Sequence, residues 1–259
     1  MRDSDRDVWN VYWKGKADIG TVYPSSPSIL RAILESVDVK GIRVLEAGAG
    51  SGRDSLELAR RGAHMTVLDF SPESLRIVER LSQDLKVPNV DCVLGDAVCT
   101  PFGDNTFDLV FHQGLLEHFR DPMPLLRENH RVLTPGGLCL CDVPQTFHPL
   151  TIVKKVLIGL DKWFAGWETQ YTPLSLRRRM RSAGFVIERT YGDWMRPCLA
   201  YRVIREVFKK SGVHLPLFPF HDTLYVRWKD TALDWLDRFP PAHYCQATIG
   251  VVGRKVSDL

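Results

Sequence analysis

Residues 44–52 read Val-Leu-Glu-Ala-Gly-Ala-Gly-Ser-Gly, an apolar run that ends in a carboxylate, Glu46, and passes at once into a glycine turn. Residues 54–61 then carry the apolar spacing of a helix. Strand, glycine turn and helix together aim backbone N–H groups at a nucleotide-like ligand. Asp69 closes the next apolar run, roughly 20 residues on, where an acid that accepts from ribose hydroxyls is expected. Glu46 distinguishes among nucleotides, because a carboxylate at the strand tip repels a pyrophosphate and suits a ligand that carries positive charge. The glycines fall at Gly48, Gly50 and Gly52, and Arg53 stands where a dinucleotide fingerprint has its third glycine. A nicotinamide-dependent oxidoreductase is therefore disfavoured.

A second chemical segment is His112-Gln-Gly-Leu-Leu-Glu-His118, which follows an apolar run at 107–111. An imidazole with a pKa near 6.5 suits the removal of a proton from a hydroxyl at neutral pH, so His118 is the candidate base. A structural histidine that supports the loop is the competing reading. His112, within the run itself, reads as packing. The six cysteines include no Cys-x-x-Cys pair, and Cys139 and Cys141 would share one face of a strand. They read as buried reduced thiols, and no metal site is expected.

The elements that must position these residues alternate. Strands are predicted at 42–47, 64–70, 90–95, 107–113 and 138–143, and helices at 52–61, 71–85 and 121–133. Ser71-Pro72 and Asp121-Pro122 each place a capping side chain just before a proline suited to the first helical turn. Such alternation implies a parallel, doubly wound α/β sheet. Thr172-Pro173 opens a further helix to 183, strands follow at 185–191 and 244–254, and an early helix spans about 27–37.

Five segments in this order resemble the class I S-adenosylmethionine-dependent methyltransferases, specifically the methyltransferase type 11 group. They are Glu46–Gly52, Val67-Leu-Asp-Phe-Ser-Pro, Gly95-Asp96-Ala97, Phe107-Asp-Leu-Val-Phe and Arg131-Val-Leu-Thr-Pro-Gly-Gly137. The resemblance covers about residues 40–190 and implies a seven-stranded Rossmann-like sheet of order 3-2-1-4-5-7-6, its last strand antiparallel. It implies S-adenosyl-L-methionine as cofactor. Glu46, with Gly48, Ala49, Gly50 and Gly52, would hold the methionine end. Asp69 would accept from both ribose hydroxyls and Phe70 would pack on adenine. Asp96 and the Ala97 N–H would read the adenine edge, and Gln113 and Gly114 would touch the cofactor from the fourth strand.

The flanks differ from this core. Residues 1–40 read as an N-terminal lid carrying Trp9, Tyr12 and Trp13, and residues 41–259 as the methyltransferase domain. Cap insertions are expected at about 144–172 and 193–241. In the first, Val153, Val156, Leu157, Leu160, Trp163, Phe164 and Trp167 approach a helical stripe over 152–167, with Lys154, Lys155 and Lys162 off it. All seven tryptophans lie in these flanks, and Trp163 and Trp167 join the N-terminal aromatics as candidate substrate or lid residues. The stripe is expected to pack on Tyr201, Phe208, Phe218 and Trp228, or else to face a membrane surface.

Composition narrows the function. A net charge of +3, from 34 basic and 31 acidic residues, neither suggests nor excludes nucleic acid, since a dedicated nucleic-acid binder usually shows a stronger basic bias. The one dense basic run, Arg177, Arg178, Arg179 and Arg181, reads as a solvated helix face. No apolar stretch approaches a membrane span and the N-terminus is charged, so a cytoplasmic protein is expected, with peripheral membrane association open. The reading is a methyltransferase acting on a small-molecule or lipid-linked acceptor, on oxygen rather than nitrogen or carbon. An RNA methyltransferase and a non-catalytic cofactor-binding protein of the same fold are the alternatives. Oligomeric state is left open.

Overall fold

The computed structural model describes residues 5–15, 27–194, 199–216, 228, 231–232, 235–236 and 238–256. In chain order the strands are β1 (Arg43–Ala47), β2 (His64–Asp69), β3 (Val90–Leu94), β4 (Phe107–Gln113), β5 (Leu133–Pro144), β6 (Phe185–Asp193) and β7 (Thr248–Lys255). They form one sheet of order β3-β2-β1-β4-β5-β7-β6. The pairs among β1–β5 are parallel, while β7 runs antiparallel to both β5 and β6. This is the predicted order, reversed last strand included.

Strand alternation sends successive side chains to opposite faces. Val44, Met65, Leu109 and Phe111 meet α2 (Pro27–Ser36) and α3 (Arg53–Arg60) through Ile29, Ile33, Leu56 and Leu58. Leu45, Val110, Cys139 and Cys141 meet α5 (Met123–Val132) and α7 (Pro173–Ser182) through Leu125, Leu126, Leu176 and Met180. Val67 packs with Leu75 and Val78 of α4 (Pro72–Asp84). The two thiols share a face as predicted, 3.9 Å apart. Arg178, Arg179 and Arg181 are exposed on α7, as expected of a solvated face.

Ser71 caps α4 by accepting from Ser74 N, with Pro72 in the first turn. The second cap shifts by one residue: Pro122 is the N-cap of α5, because Asp121 Oδ1 accepts from Met123 N (3.1 Å) in a local turn. β5 starts earlier than predicted. Phe107 faces Leu133 and Leu109 faces Leu138, so residues 134–137 are taken up as a bulge instead of a turn before the strand. β7 starts later than 244, because Pro240–Tyr244 winds into a 3₁₀ turn led by its prolines.

The largest correction concerns residues 152–167. One long helix with its lysines in solvent was expected. Instead α6 spans Pro149–Gly159 and is capped at Leu160. Asp161 then turns the chain at φ 56°, leaving Trp163, Phe164 and Trp167 beyond the helix. Of the two orientations expected for the stripe the outward one is found, since Val153, Val156 and Leu160 are 50–60% exposed, whereas the Lys154 side chain is 12% exposed and pairs with Glu168 (2.5 Å). Glu168 is nearly sealed from water, and a buried carboxylate without a cation costs more than exposing a few valines.

The flanking elements are α1 (Arg6–Lys14), none of whose residues is buried, and α8 (Leu199–Lys210). Of the residues expected to cover the α6 stripe, Phe218 lies outside the described residues and Phe208 and Trp228 are exposed. Tyr201 donates to Pro216 O (2.7 Å).

Candidate active site

The strand order reverses between β1 and β4, so the connections leaving their carboxyl ends diverge and open a crevice. A cavity of about 380 Å³ lies there, lined by Glu46, Gly48, Ala49, Gly50, Asp69, Phe70, Asp96, Ala97, Gln113, Gly114 and His118, with Trp9 and Trp13 from α1. Sequence reasoning singled out every one of these. It missed Ser51, Arg53, Asp54, Leu68, Gly95, Leu115 and Phe119, which also line the wall. Ser51, Leu68 and Gly95 sit inside the motif segments beside the assigned residues, Arg53 and Asp54 reach the cavity from the first turn of α3, and Leu115 and Phe119 flank the turn that carries His118. Gly52 does not line it. It begins α3 at φ 63°, where an added Cβ would lie 2.7 Å from Val78, so this glycine serves helix packing.

A larger concavity, about 440 Å³, opens among Arg127, His130, Arg131 and Lys255. Lys255 Nζ donates to Leu133 O (2.8 Å) at the carboxyl end of α5, and Arg131 is tied to Glu128 and Asp104. Its cations serve a helix end, and the cavity at the strand tips is the one with chemistry.

The glycine turn is tied to β2. Gly48 N donates to Leu68 O (2.7 Å) and Gly50 N to Asp69 Oδ2 (3.0 Å). Asp69 also accepts from Ser74 Oγ (2.9 Å) and, through Oδ1, from Ser71 N (2.8 Å). The expected ribose acceptor is thus also the strap of the loop. Three donors leave about one of the roughly four acceptor positions of the carboxylate open.

The electrostatics of the cavity favour a cation. Burial, with Asp54 and Asp69 nearby, pushes the Glu46 carboxyl up to about 8, although Ser55 Oγ donates to it. Burial likewise raises Asp69. A ligand bearing an ammonium and a sulfonium would supply the charge that these acids lack, so the residues present fit S-adenosylmethionine.

α1 lies across the opening. An added Cβ at Gly50 would come within 2.6 Å of the Trp13 ring, so the indole rests directly on the glycine turn. Trp9 meets His118 edge-on at 5.1 Å, and Ser71 Oγ donates to Asn10 Oδ1 (2.6 Å). Tyr12 is not in the wall. It stacks on Phe164 at 4.9 Å, and Phe164 also touches Trp9 at 5.7 Å. Phe164 is the aromatic of the first insertion that reaches the lid helix. Trp163 and Trp167 do not line the cavity: Trp163 Nε1 donates to Glu168 (2.7 Å), and Trp167 Nε1 to Thr169 (3.1 Å) with Arg120 over its ring.

Behind His118 sits a buried charged group. Thr169 binds Glu117 O and Phe119 O, both at 2.6 Å, which laces the first insertion to the loop carrying His118. Burial and then Glu168 push the Glu117 carboxyl up to about 8, opposed by Lys154. Burial lowers His118 to about 4, and its buried Nδ1 has no partner among the described residues. His118 is therefore neutral at pH 7 and a weak base, suited to orienting a hydroxyl more than to stripping its proton. His112 is fully buried, with Nε2 3.1 Å from Cys141 Sγ, in keeping with packing.

Among the described residues no group of His, Cys, Asp and Glu is arranged to hold a metal, and no helix is long and apolar enough to cross a membrane.

A reversed seventh strand, an acid before a glycine turn and an acid-lined cavity at the switch point are the features of the class I methyltransferase fold. Residues 45–141 match the family model described as Methyltransferase domain, and this segment is a class I S-adenosylmethionine-dependent methyltransferase domain. The chain is 36% identical over 120 residues to demethylmenaquinone methyltransferase of Renibacterium salmoninarum, covering 46% of this chain and 48% of that protein. It is 26% identical over 205 residues to ubiquinone biosynthesis O-methyltransferase of Marinobacter nauticus, covering 76% and 84%. The chain thus spans about half the length of the demethylmenaquinone methyltransferase it matches. Among solved structures, Haemonchus contortus phosphoethanolamine N-methyltransferase 2 superposes with a TM-score of 0.67 at 19% identity, covering 97% of this chain and 60% of the other. The 4+2 cyclase SpnF superposes at 0.61 with 22% identity, covering 89% and 80%. At these identities the likeness is one of fold, and a cyclase among them shows that this fold does not dictate one reaction.

Proposed function

We propose that this protein transfers the methyl group of S-adenosylmethionine to a hydroxyl oxygen of a small-molecule acceptor with an apolar, lipid-linked body. The observation that carries the reading is the cavity itself, acidic at the β1 and β2 tips and aromatic around His118. In this reading Glu46 and the turns at Gly48 and Gly50 hold the methionine end of the cofactor. Asp69 takes a ribose hydroxyl, and Asp96 with Ala97 takes the adenine edge. When bound, the cofactor supplies an activated methyl group. His118 accepts a hydrogen bond from the acceptor hydroxyl, aims its oxygen and takes its proton as the C–O bond forms, because the developing oxonium is a far stronger acid than imidazolium. Trp9 and Trp13 exclude water, so positioning and desolvation supply most of the rate. The names of the two quinone-pathway relatives agree with a flat acceptor on an apolar tail. An acceptor of that kind resides in a membrane, which brings a cytoplasmic enzyme into peripheral contact with one.

The test is turnover. Purified protein with S-adenosylmethionine and a panel of prenylated phenols, catechols and hydroquinones should form S-adenosylhomocysteine and a methyl ether. Product only on amines, or none on any acceptor despite tight cofactor binding, would overturn the reading. The lid has its own check. Deleting residues 1–20 should weaken S-adenosylhomocysteine binding about tenfold by removing Trp9 and Trp13, with the fold retained because none of the residues of α1 is part of the buried core. Unchanged affinity and turnover would reduce the segment to an appendage.

A further inference from the structure

α6 and α8 show water the wrong faces. On α6, Ile152, Val153 and Val156, followed by Leu160, occupy one side, and each is at least half exposed. On α8, Val203 with Val207 and Ile204 with Phe208 repeat at four-residue spacing and are 45–57% exposed. Helices of a water-facing protein carry the opposite pattern, and a continuous exposed apolar face marks a docking surface. The two helices are neighbours at one end: His148, the N-cap of α6, lies within electrostatic reach of Arg202 on α8. Phe147, just before α6, is exposed and stacks on Tyr244.

The charges around these faces are mostly basic, with Asp161 and Glu206 as the acids. α6 contains Lys154 and Lys155 and no acid. Lys154 is spent inward on Glu168, while Lys155, which donates to Thr146 O (3.2 Å), and Lys162 are exposed beside the helix. The α8 sequence holds Arg202, Arg205, Lys209 and Lys210 against one acid, Glu206. Apolar helix faces with basic flanks match a helix lying in the headgroup boundary of an anionic bilayer. The same cations argue against a second copy of this chain, whose matching face would set like charges together. The surface is also continuous with the site, since Phe164 follows α6 and contacts Trp9, which lines the cavity.

We infer that the outward faces of α6 and α8 dock on an anionic lipid membrane and set the cavity mouth at its surface, where a lipid-linked acceptor enters. The purpose rests on the acceptor proposed above, but the docking does not require cofactor or turnover. The experiment is co-sedimentation of the full chain with vesicles of phosphatidylcholine alone and with phosphatidylglycerol added. Binding is expected on the anionic vesicles, weakened by salt, and reduced about tenfold or more in the Val153→Glu/Val156→Glu double variant. Both positions are exposed, so the variant should keep its thermal unfolding and its affinity for S-adenosylhomocysteine. No preference for anionic vesicles would overturn the inference, as would variant binding equal to wild type. A wild-type dimer that the same variant converts to monomer, with no vesicle binding, would assign the face to a second copy. Vesicle binding without methylation of any acceptor would instead overturn the proposed function alone.

Discussion

Lys154→Met should destabilise the protein by about 3–5 kcal/mol, the usual cost of removing one partner from a buried ion pair. The Lys154 side chain is 12% exposed and that of Glu168 is 3%, so water cannot replace the lost ammonium. Glu168 would retain the Trp163 Nε1 donor and still face Glu117, whose own carboxyl it already pushes upward. Two buried acids would then share a site without a cation. The double variant Lys154→Met/Glu168→Leu should recover most of the loss, because an apolar pair of similar size avoids the desolvation that the ion pair pays. Urea unfolding of the three proteins measures this. A single-variant loss below about 1 kcal/mol would mean that the pair is solvated, in the range of surface salt bridges. Turnover should fall with stability, since Thr169, one residue from Glu168, holds the loop at Glu117 and Phe119.

Asp69→Ala should weaken binding of S-adenosylhomocysteine by roughly 1–3 kcal/mol, the range for a lost charge-assisted hydrogen bond and a donor left without its partner. Part of this loss is direct and part is structural. Gly50 N and Ser71 N donate to this carboxylate and would lose their acceptor, whereas Ser74 Oγ would keep its bond to Gly50 O (2.6 Å). The glycine turn would then keep its backbone tie from Gly48 N to Leu68 O and lose the side-chain strap at Gly50. Ser74→Ala separates the two contributions, because it removes one loop contact and leaves the carboxylate able to meet a ribose. Its effect on affinity should be smaller than that of Asp69→Ala. Titration calorimetry that finds the Asp69 variant unchanged would remove this residue from the site.

The motif-bearing half of the site was legible because its chemistry is local. Glu46, the glycine turn, Asp69 and Asp96 each sit at or just beyond a strand end, and a parallel sheet brings strand ends together whatever the side chains elsewhere do. Gly48 and Gly50 could be assigned for the same reason, since a turn at positive φ is a property of a few consecutive residues. Gly52 shows where that logic stops. Its type and spacing match the motif, yet its partner is Val78, a residue of another helix.

The flanks were misread where long-range contacts outweighed periodicity. Apolar spacing over 152–167 predicted a helical stripe that either packs on the second insertion or faces a membrane surface, with the lysines off it, and that rule assumes that charged side chains seek water. A buried carboxylate at Glu168 reverses the preference by demanding a cation, and α6 turns to bring Lys154 to it. Nothing at positions 152–160 announces that demand. Similarly, no local signal marks Phe164, instead of Trp163 or Trp167, as the ring that meets the lid helix.

What the sequence by itself determined is the sheet, its order and the ring of cofactor-facing residues. The alternating strands and helices follow from short-range rules of turn geometry, strand alternation and capping, whereas the strand order and the expected cofactor contacts are what the resemblance to class I methyltransferases implies. Tertiary structure alone decided which way α6 faces, that Asp69 also straps the glycine turn, and that His118 is neutral and weakly basic. Each of these depends on burial, and burial is set by every element packed around a residue, not by its neighbours in the chain.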